Sequence, residues 1–399
     1  MSSGLWAPTG VPTIYNLINF FDRSPDYSLE LLVISKSEDP NAGFAKLFKR
    51  IKLEGLQSEV RFVGFQGLLN IRFGKALREV LHLVVVSLRI AIFRPNVVYI
   101  DHANLIAAAF IARYLPIPVI FRLMGVYPAM RDVLDDHRRV GRFLKWCYQS
   151  PFTLVICTQD GSGVERWLER AISPDVVVHR LVNGADYRKA NLAQLELMKS
   201  FYKIPEDKIK ILFVGKLEKI KGIFEFLEGF RLASENCEYR LHAIIIGYGD
   251  QFAAVNDYIE RHDLQQYITL IDRLPHKDIY CFHEISDIYV STNRLANLTN
   301  ANLEAIASGQ CIIIPKSQKE TGVDLITDKL LSENSVFRID FPPTGPKLCK
   351  ALCYLICNPA KRLSLSKNVK SESSEFIDSW GVRVEREINL IESILVKNG

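Results

Sequence analysis

Short, nearly unbroken apolar runs rich in Val and Ile alternate with helical patterns along this chain. In the first half they read LELLVIS, EVRFVGF, NVVYIDH, PVIFRLMG, LVICTQ and VVVHRLVNG. A run without polar alternation must be covered on both faces, which a parallel sheet between crossover helices achieves. Around residues 190–208 the pattern changes to a polar helical connector, NLAQLELMKSFYKIPEDK. A second series then follows: IKILFVGKL, RLHAIIIGYG, YITLIDRL, DIYVSTN, QCIIIPK and SVFRID. The pattern predicts an α/β fold of two Rossmann-like, doubly wound domains, over residues 1–195 and 205–372. Residues 373–399 form a separate, strongly amphipathic helical segment. The length of 399 residues allows two cores of this size.

The first domain is unusual at its start. Only MSSGLWAPT precedes Gly10, and it does not read as a strand, although a doubly wound sheet places its first strand before such a loop. The expectation is a shortened start, with the missing strand upstream. Net charge is +5 and the cations are spread without a dense stripe, which argues against nucleic acid as a partner. It leaves anionic substrates or an anionic membrane surface open. None of the eight cysteines forms a zinc-ribbon pair, and no secretory leader is seen, so reduced thiols in a cytosol are expected. Cys349, Cys353 and Cys357 share one helical stripe, read as a buried face in preference to a metal site. The run VLHLVVVSLRIAIF over 80–93 is too short and interrupted to span a bilayer. With Arg78, Arg89 and Arg94 it could lie on a membrane surface, but a well-buried helix between two strands is the favoured reading.

Open α/β sheets bind ligands beyond the carboxyl ends of their strands. In the second domain the first such edge is VGKLEKIKG, where Lys216 ends a strand and Lys221 opens the next helix, with Lys219 between. Cations beside a helix N-terminus oppose its dipole unless an anion binds there, and phosphate suits both the lysines and the helix amides. Solvated loop lysines are the alternative. The second edge, IIIGYGD, has Gly247 and Gly249, which permit close backbone approach to a ligand or simply a turn. The third is NRLANLTNANLEAIASG, with more uncharged hydrogen-bonding capacity than one helix cap needs. Its helix starts near Thr299 or Asn300, so amides of Ala301, Asn302 and Leu303 are expected to face a ligand. Glu304 can hold a ribose diol, or it is a favourable dipole charge. Together these edges describe a nucleotide-diphosphate site.

These residues resemble the retaining GT-B glycosyltransferases of family four, the glycosyl transferases group 1. The resemblance covers nearly the whole chain, through LVNGAD, FVGKLEKIKGIFEFLEGF, HAIIIGYGD, SDIYVST, NLEAIASGQCIIIP and the late Ser379–Trp380, in that order. It implies two Rossmann-like domains facing across a cleft, with the C-terminal helix packing back on the first, and hinges around 190–208 and 375–380. It puts Lys216 at the family's Arg position and Lys221 at its Lys, both on the donor pyrophosphate. Gly10 in PTGVP matches the glycine loop beside the diphosphate and sugar. Glu304 matches the second Glu of the two-Glu signature, on the ribose, and Arg273 and Leu274 flank the nucleobase. Two sugar handles differ: the first Glu is Ala296, and a His common after the fifth strand of the first domain is Met124. Asn297, Asn300 and Asn302 are the candidates to replace a carboxylate, and Arg122 is placed to reach the cleft. The asparagine-rich loop then reads as a rebuilt sugar-binding rim.

The resemblance implies transfer of a sugar from a nucleotide-diphosphate sugar to a glycan or lipid-linked acceptor, with retention, without a metal or other cofactor. Asp101 and His102, ending VVYIDH, are acceptor-side candidates, or equally a capped strand end. Peripheral contact with the inner face of a membrane, in cell-surface polysaccharide or glycolipid assembly, matches family habit. A catalytically silent protein that binds a nucleotide sugar or partner enzyme is the main alternative. An epimerase would need cleft carboxylates and a His that are not found, and a phosphorylase-like enzyme a longer chain.

Overall fold

A computed structural model describes residues 12–34, 49–52, 55–65, 73–238 and 240–398; Gly10 lies outside them. The chain divides into two units. One comprises Met1–Thr158, Trp167–Leu181 and Trp380–Gly399, the other Gln159–Arg166 and Val182–Ser379.

The first unit begins with α1 (Pro12–Arg23), β1 (Leu31–Ile34), β2 (Lys49–Lys52), β3 (Glu59–Val63) and α2 (Gly74–Phe93). It continues through β4 (Val98–Asp101), α3 (Leu105–Tyr114), β5 (Val119–Leu123), α4 (Pro128–Asp135), α5 (Arg139–Tyr148) and β6 (Leu154–Thr158). Helix α6 (Val164–Ala171) leads to β7 (Val178–Leu181). Strands β4, β5, β6 and β7 lie side by side in that order, all parallel. A second small sheet has β3 between β1, parallel, and β2, antiparallel. The short, charge-rich β2 has no apolar pattern to announce it.

Alternation along β5 assigns the helices to two layers. Phe121 stacks on Phe152 at 4.6 Å and meets the Tyr148 ring of α5 at 6.3 Å. Ile120 clusters with Leu17 of α1 and with Val384, Ile388 and Ile391 of the C-terminal helix Trp380–Asn398. Arg122, on the same side as Ile120, is wholly buried, and its Nε donates to Glu387 Oε1 at 3.1 Å. Its Nη2 donates to Thr158 Oγ1 at 2.9 Å. Arg383 Nη1 lies 2.9 Å from Glu387 Oε2, and Tyr99 Oη donates to Oε1 at 2.5 Å. Burial pushes the Glu387 carboxyl up, but Arg122 and Arg383 beside it hold it below the usual range.

Helix α2 differs from the expected buried helix. Only Gly74, Arg78 and His82 are buried along its 20 residues. The reason is that it turns charge inward: Arg89 grips Glu30 with two bonds, 2.7 and 2.8 Å. Leu77, Val80, Val84, Leu88 and Ile92 are exposed, while Leu81, Leu83, Val85 and Val86 are half-buried.

The second unit contains α7 (Leu192–Phe201), β8 (Ile209–Val214), α8 (Ile223–Asn236), β9 (Leu241–Ile246), α9 (Phe252–Arg261), β10 (Ile268–Ile271), α10 (His276–Ile285) and β11 (Ile288–Val290). Then come α11 (Asn300–Ser308), β12 (Cys311–Pro315), α12 (Leu325–Leu330), β13 (Phe337–Ile339), α13 (Gly345–Cys357) and α14 (Pro359–Phe376). The strands are all parallel, in the order β10-β9-β8-β11-β12-β13. Each apolar run of the second half is one of these strands. Helix α13 packs on α8 with Cys349 buried and Cys353 half-buried, while Cys357 is exposed, so the expected cysteine face is buried along part of its length only. Cys353 Sγ lies 3.8 Å from Cys237 Sγ.

The buried cluster around Glu387 makes a stability prediction. Glu387→Ala leaves Arg122 and Arg383 buried without their counter-charge and costs about 3–5 kcal/mol, read by urea unfolding. Tyr99→Phe removes one hydrogen bond and costs about 1–2 kcal/mol. Equal small losses in both variants would contradict this account of the cluster.

Candidate functional site

The order of the second sheet reverses at β8. Connections from β8 to β9 and β10 run one way, and β11, β12 and β13 lie on the other side. The crevice beyond the carboxyl ends of β8 and β11 is the topological switch point, where open α/β sheets take ligands. The loops after these strands are 215–222 and 291–299; they hold Lys216, Lys221 and Asn297, and the second leads into α11, which begins with Asn300, Ala301, Asn302, Leu303 and Glu304.

After β8 the chain passes Lys216, which is exposed, with Glu218 Oε1 3.8 Å from its Nζ. Lys219–Lys221 forms one 3-10 turn, and α8 begins at Ile223, after Gly222 and not at Lys221. Burial lowers the Lys221 pKa, while Glu218 and Asp160 oppose that shift. Gly222 has φ 76°, and a Cβ there would meet Thr292 O at 2.4 Å. The glycine thus lets the loops after β8 and β11 touch, and Thr292 Oγ1 donates to Gly222 O at 2.7 Å. A similar contact explains Gly247: a Cβ would lie 1.8 Å from Gly215 O. The close approach that Gly247 permits is to the chain's own loop at Gly215.

The asparagine-rich loop also differs from expectation. Asn297 is wholly buried and turned to internal partners. Its backbone amide donates to Asp324 Oδ1 at 2.8 Å and its Nδ2 to Asp324 Oδ2 at 2.6 Å, while Ser291 Oγ donates to its Oδ1 at 2.8 Å. Asn302 accepts from Tyr289 Oη at 2.8 Å and donates from Nδ2 to Asn297 O at 3.2 Å. Asn300 Oδ1 accepts from Asn183 Nδ2 at 2.8 Å. Leu298 N–H donates to Asp160 O at 2.9 Å. The polar surplus therefore holds the loop to Asp324 and Asp160, where the sequence reading had placed a sugar-facing rim of Asn297, Asn300 and Asn302. Burial pushes Asp324 up to about 6, against the pull of Asn297 and Thr327. Asp160 is raised by burial as well.

What the loop supports is the start of α11. Thr299 is the N-cap and makes no side-chain capping bond. The Leu303 amide donates to Thr299 O at 2.8 Å, so it is taken by the helix itself. Asn300, Ala301 and Asn302 supply the first-turn amides, which in any α-helix have no intrahelical acceptor. Glu304 is buried, and its Oε1 lies 2.6 Å from His276 Nε2. This bond raises the His276 pKa against the effect of burial, with Glu304 and Asp186 adding charge attraction. The Arg273 guanidinium lies 4.7 Å over the ring of Tyr248, which is exposed, and Leu274 packs against the core. His276, Tyr248, Asp160 and Asp324 were not singled out from the sequence. His276 had one signal, its place three residues after Arg273 at a helix start.

The first unit places its own candidates differently. Asp101 Oδ1 accepts from Asn104 Nδ2 at 2.6 Å, and Asp101 precedes a 3-10 turn without a side-chain capping bond. His102 stacks on Tyr127 with centroids 5.9 Å apart, and burial lowers its pKa. Arg122 is not at a surface: its guanidinium is spent on Glu387 and Thr158. Ala296 is buried, and Met124 packs at the edge of the cluster around Val60 and Phe62. Among the described residues, no group of three or more His, Cys, Asp or Glu is arranged to hold a metal ion.

The His276–Glu304 bond has a measurable consequence. Because the folded pKa of His276 is raised, its stabilising contribution is full below the ordinary value near 6.5 and is lost as pH rises through the folded value. In a proton NMR titration His276 is expected to titrate above the ordinary value near 6.5, and Glu304→Gln to bring it back toward that value. An unchanged titration in that variant would contradict the pairing.

Comparison with known proteins agrees with this fold. Residues 196–326 match the family model for glycosyl transferases group 1. An uncharacterized glycosyltransferase of Methanocaldococcus jannaschii is 24% identical over 169 residues, 40% of this chain and 43% of that protein. The match thus spans less than half the length of this curated relative. Among solved structures, sucrose-phosphate synthase of Thermosynechococcus elongatus superposes with a TM-score of 0.70 at 12% identity, covering 96% of this chain and 93% of that one. HepE of Anabaena, in complex with UDP and glucose, gives 0.68 at 14% identity, covering 98% of each chain. The chain has the α/β fold of the GT-B glycosyltransferases, and its residues 196–326 match the glycosyl transferases group 1 family.

Proposed function

We propose that this protein is a glycosyltransferase that moves a sugar from a nucleotide-diphosphate sugar to a glycan or lipid-linked acceptor, with retention and without a metal. The observation that carries the reading is the convergence of Lys216, Lys221 and the uncapped start of α11 on one switch point, inside the segment that matches the family. That HepE, a structural neighbour, binds UDP and glucose supports a nucleotide sugar as donor.

In this reading the donor's diphosphate occupies the crevice beyond β8 and β11. The bond from the sugar's anomeric carbon to the diphosphate breaks through an oxocarbenium-like state. The electron pair leaves with the diphosphate, whose growing charge is met by the two lysines and by the amides of Asn300, Ala301 and Asn302. The acceptor hydroxyl attacks the face that the diphosphate leaves, and its proton passes to the departing phosphate oxygen. The protein contributes positioning and charge stabilisation instead of a nucleophile. Glu304, held by His276, takes the ribose hydroxyls, and Arg273 and Tyr248 form a flat surface for the base. The reaction belongs to cell-surface polysaccharide or glycolipid assembly, at the inner face of a membrane.

One observation favours a second reading. Ala296, at the position of the family's first sugar-binding Glu, is buried and has no polar side chain to offer a sugar. A protein that binds the nucleotide without transferring the sugar would tolerate this.

Calorimetric titration with UDP, GDP and ADP tests the site. One nucleotide is expected to bind in the micromolar range, with at least about a hundredfold loss in the Lys216→Ala, Lys221→Ala double variant, since each charge-assisted contact contributes about 1.5–3 kcal/mol. No binding by any nucleotide would overturn both readings. Binding without turnover of the matching sugar nucleotides would favour the second.

A further inference from the structure

The outer face of the first unit carries a surface that sugar transfer in the second does not use. Helix α2 is built inside out. Leu77, Val80, Val84, Leu88 and Ile92, spaced three and four apart, form one stripe and are 45–66% exposed. The opposite side of the same helix buries Arg78 and His82 and turns Arg89 to Glu30. A helix on a water-facing surface has the reverse arrangement. The stripe spans about four turns, or roughly 22 Å at 1.5 Å per residue.

The same layer continues laterally. Helix α2 packs on α3, and α3 on α5. An aromatic row crosses these two helices: Tyr114 to Phe110 at 5.7 Å, Phe110 to Trp146 at 5.6 Å, and Trp146 to Phe143 at 5.8 Å. Tyr114 and Phe143 are exposed. Helix α5 adds exposed Arg139, Arg142 and Lys145 and contains no acidic residue. The charge of the whole chain is divided in the same sense. Lys and Arg outnumber Asp and Glu by 24 to 17 in the first unit, and are outnumbered by 26 to 28 in the second.

We propose that the α2–α3–α5 face docks on an anionic lipid surface, with the α2 stripe at the acyl boundary and the α5 cations among the headgroups. Apolar residues on one helix, aromatic rings beside them and unpaired cations along the edge are the three elements of an interfacial membrane contact. A second copy of the chain fits less well, because it would cover the apolar stripe while its own α5, which has no acidic residue, offers the α5 cations no counter-charge. No helix among the described residues is long and apolar enough to cross a membrane, so this contact lies on the surface. The inference deepens the membrane-side part of the proposed function but does not depend on sugar transfer.

Vesicle flotation of the full chain tests it, using phosphatidylcholine alone and with phosphatidylglycerol as a third of the lipid. The protein is expected to float with the anionic vesicles, and less as salt is raised. Val84→Asp with Leu88→Asp, and separately Arg139→Glu with Arg142→Glu and Lys145→Glu, are each expected to reduce partitioning about tenfold or more. All these positions are exposed, and urea unfolding of the same variants, expected to match the wild type, reports that the first unit is folded. No flotation by the wild type would overturn the proposal. So would light scattering that shows a dimer which the α2 variant converts to monomer, because a second copy then covers the stripe. Flotation without any nucleotide binding would leave the docking surface standing and remove the transferase reading.

Discussion

Parallel strand pairing is the constraint from which the rest of this structure follows. A parallel neighbour cannot be reached by a tight turn, so each strand needs a crossover, and every crossover returns the chain with the same hand. All carboxyl ends of a sheet therefore lie on one edge. In the second unit the chain fills one side of β8 and then the other, and the reversal leaves a crevice between the loops after β8 and β11. Two cationic side chains and one helix start arrive there because of the sheet's order, although they are about 80 residues apart in the sequence.

The loops at that edge are held by buried polar groups. Asp324 collects the amide and side chain of Asn297 and the hydroxyl of Thr327, and Asp160 collects Ser162 and, through its carbonyl, Leu298. Satisfied networks of this kind fix one conformation, and each member left without its partner would cost more than the bond contributes. The start of α11 is thus set by the buried side chains of Asn297, Asp324 and Thr327, with the backbone of Asp160. In the first unit the Glu387 cluster fastens the C-terminal helix to the sheet in the same way, with two arginines around one carboxylate.

Much of this was legible in the sequence, for a definite reason. Strands covered on both faces must be apolar throughout, so each apolar run of the second half marks a strand without ambiguity. The edges after β8 and β11 were also legible, because lysines beside a glycine-started helix have few structural uses. What could not be read was direction. Asn297, Arg122 and Gly247 are residue types that serve a ligand or the chain equally well. Only the fold shows that Asn297 faces Asp324, that Arg122 faces Glu387, and that Gly247 makes room for Gly215. Helix α2 misled for the same reason, since it was assumed to be buried when the side chains it buries are Arg78 and His82 and one row of its apolar residues is exposed.

Hydrogen exchange of the full chain, with and without saturating UDP, tests the central claim most directly, because it reads individual amides. The account predicts new protection confined to the loop after β8, at 215–222, and to the first turn of α11, at Asn300, Ala301 and Asn302, with the Leu303 amide already protected in the free protein. Protection that appears only elsewhere, or at neither segment, would contradict the placement of the diphosphate at the β8–β11 switch point.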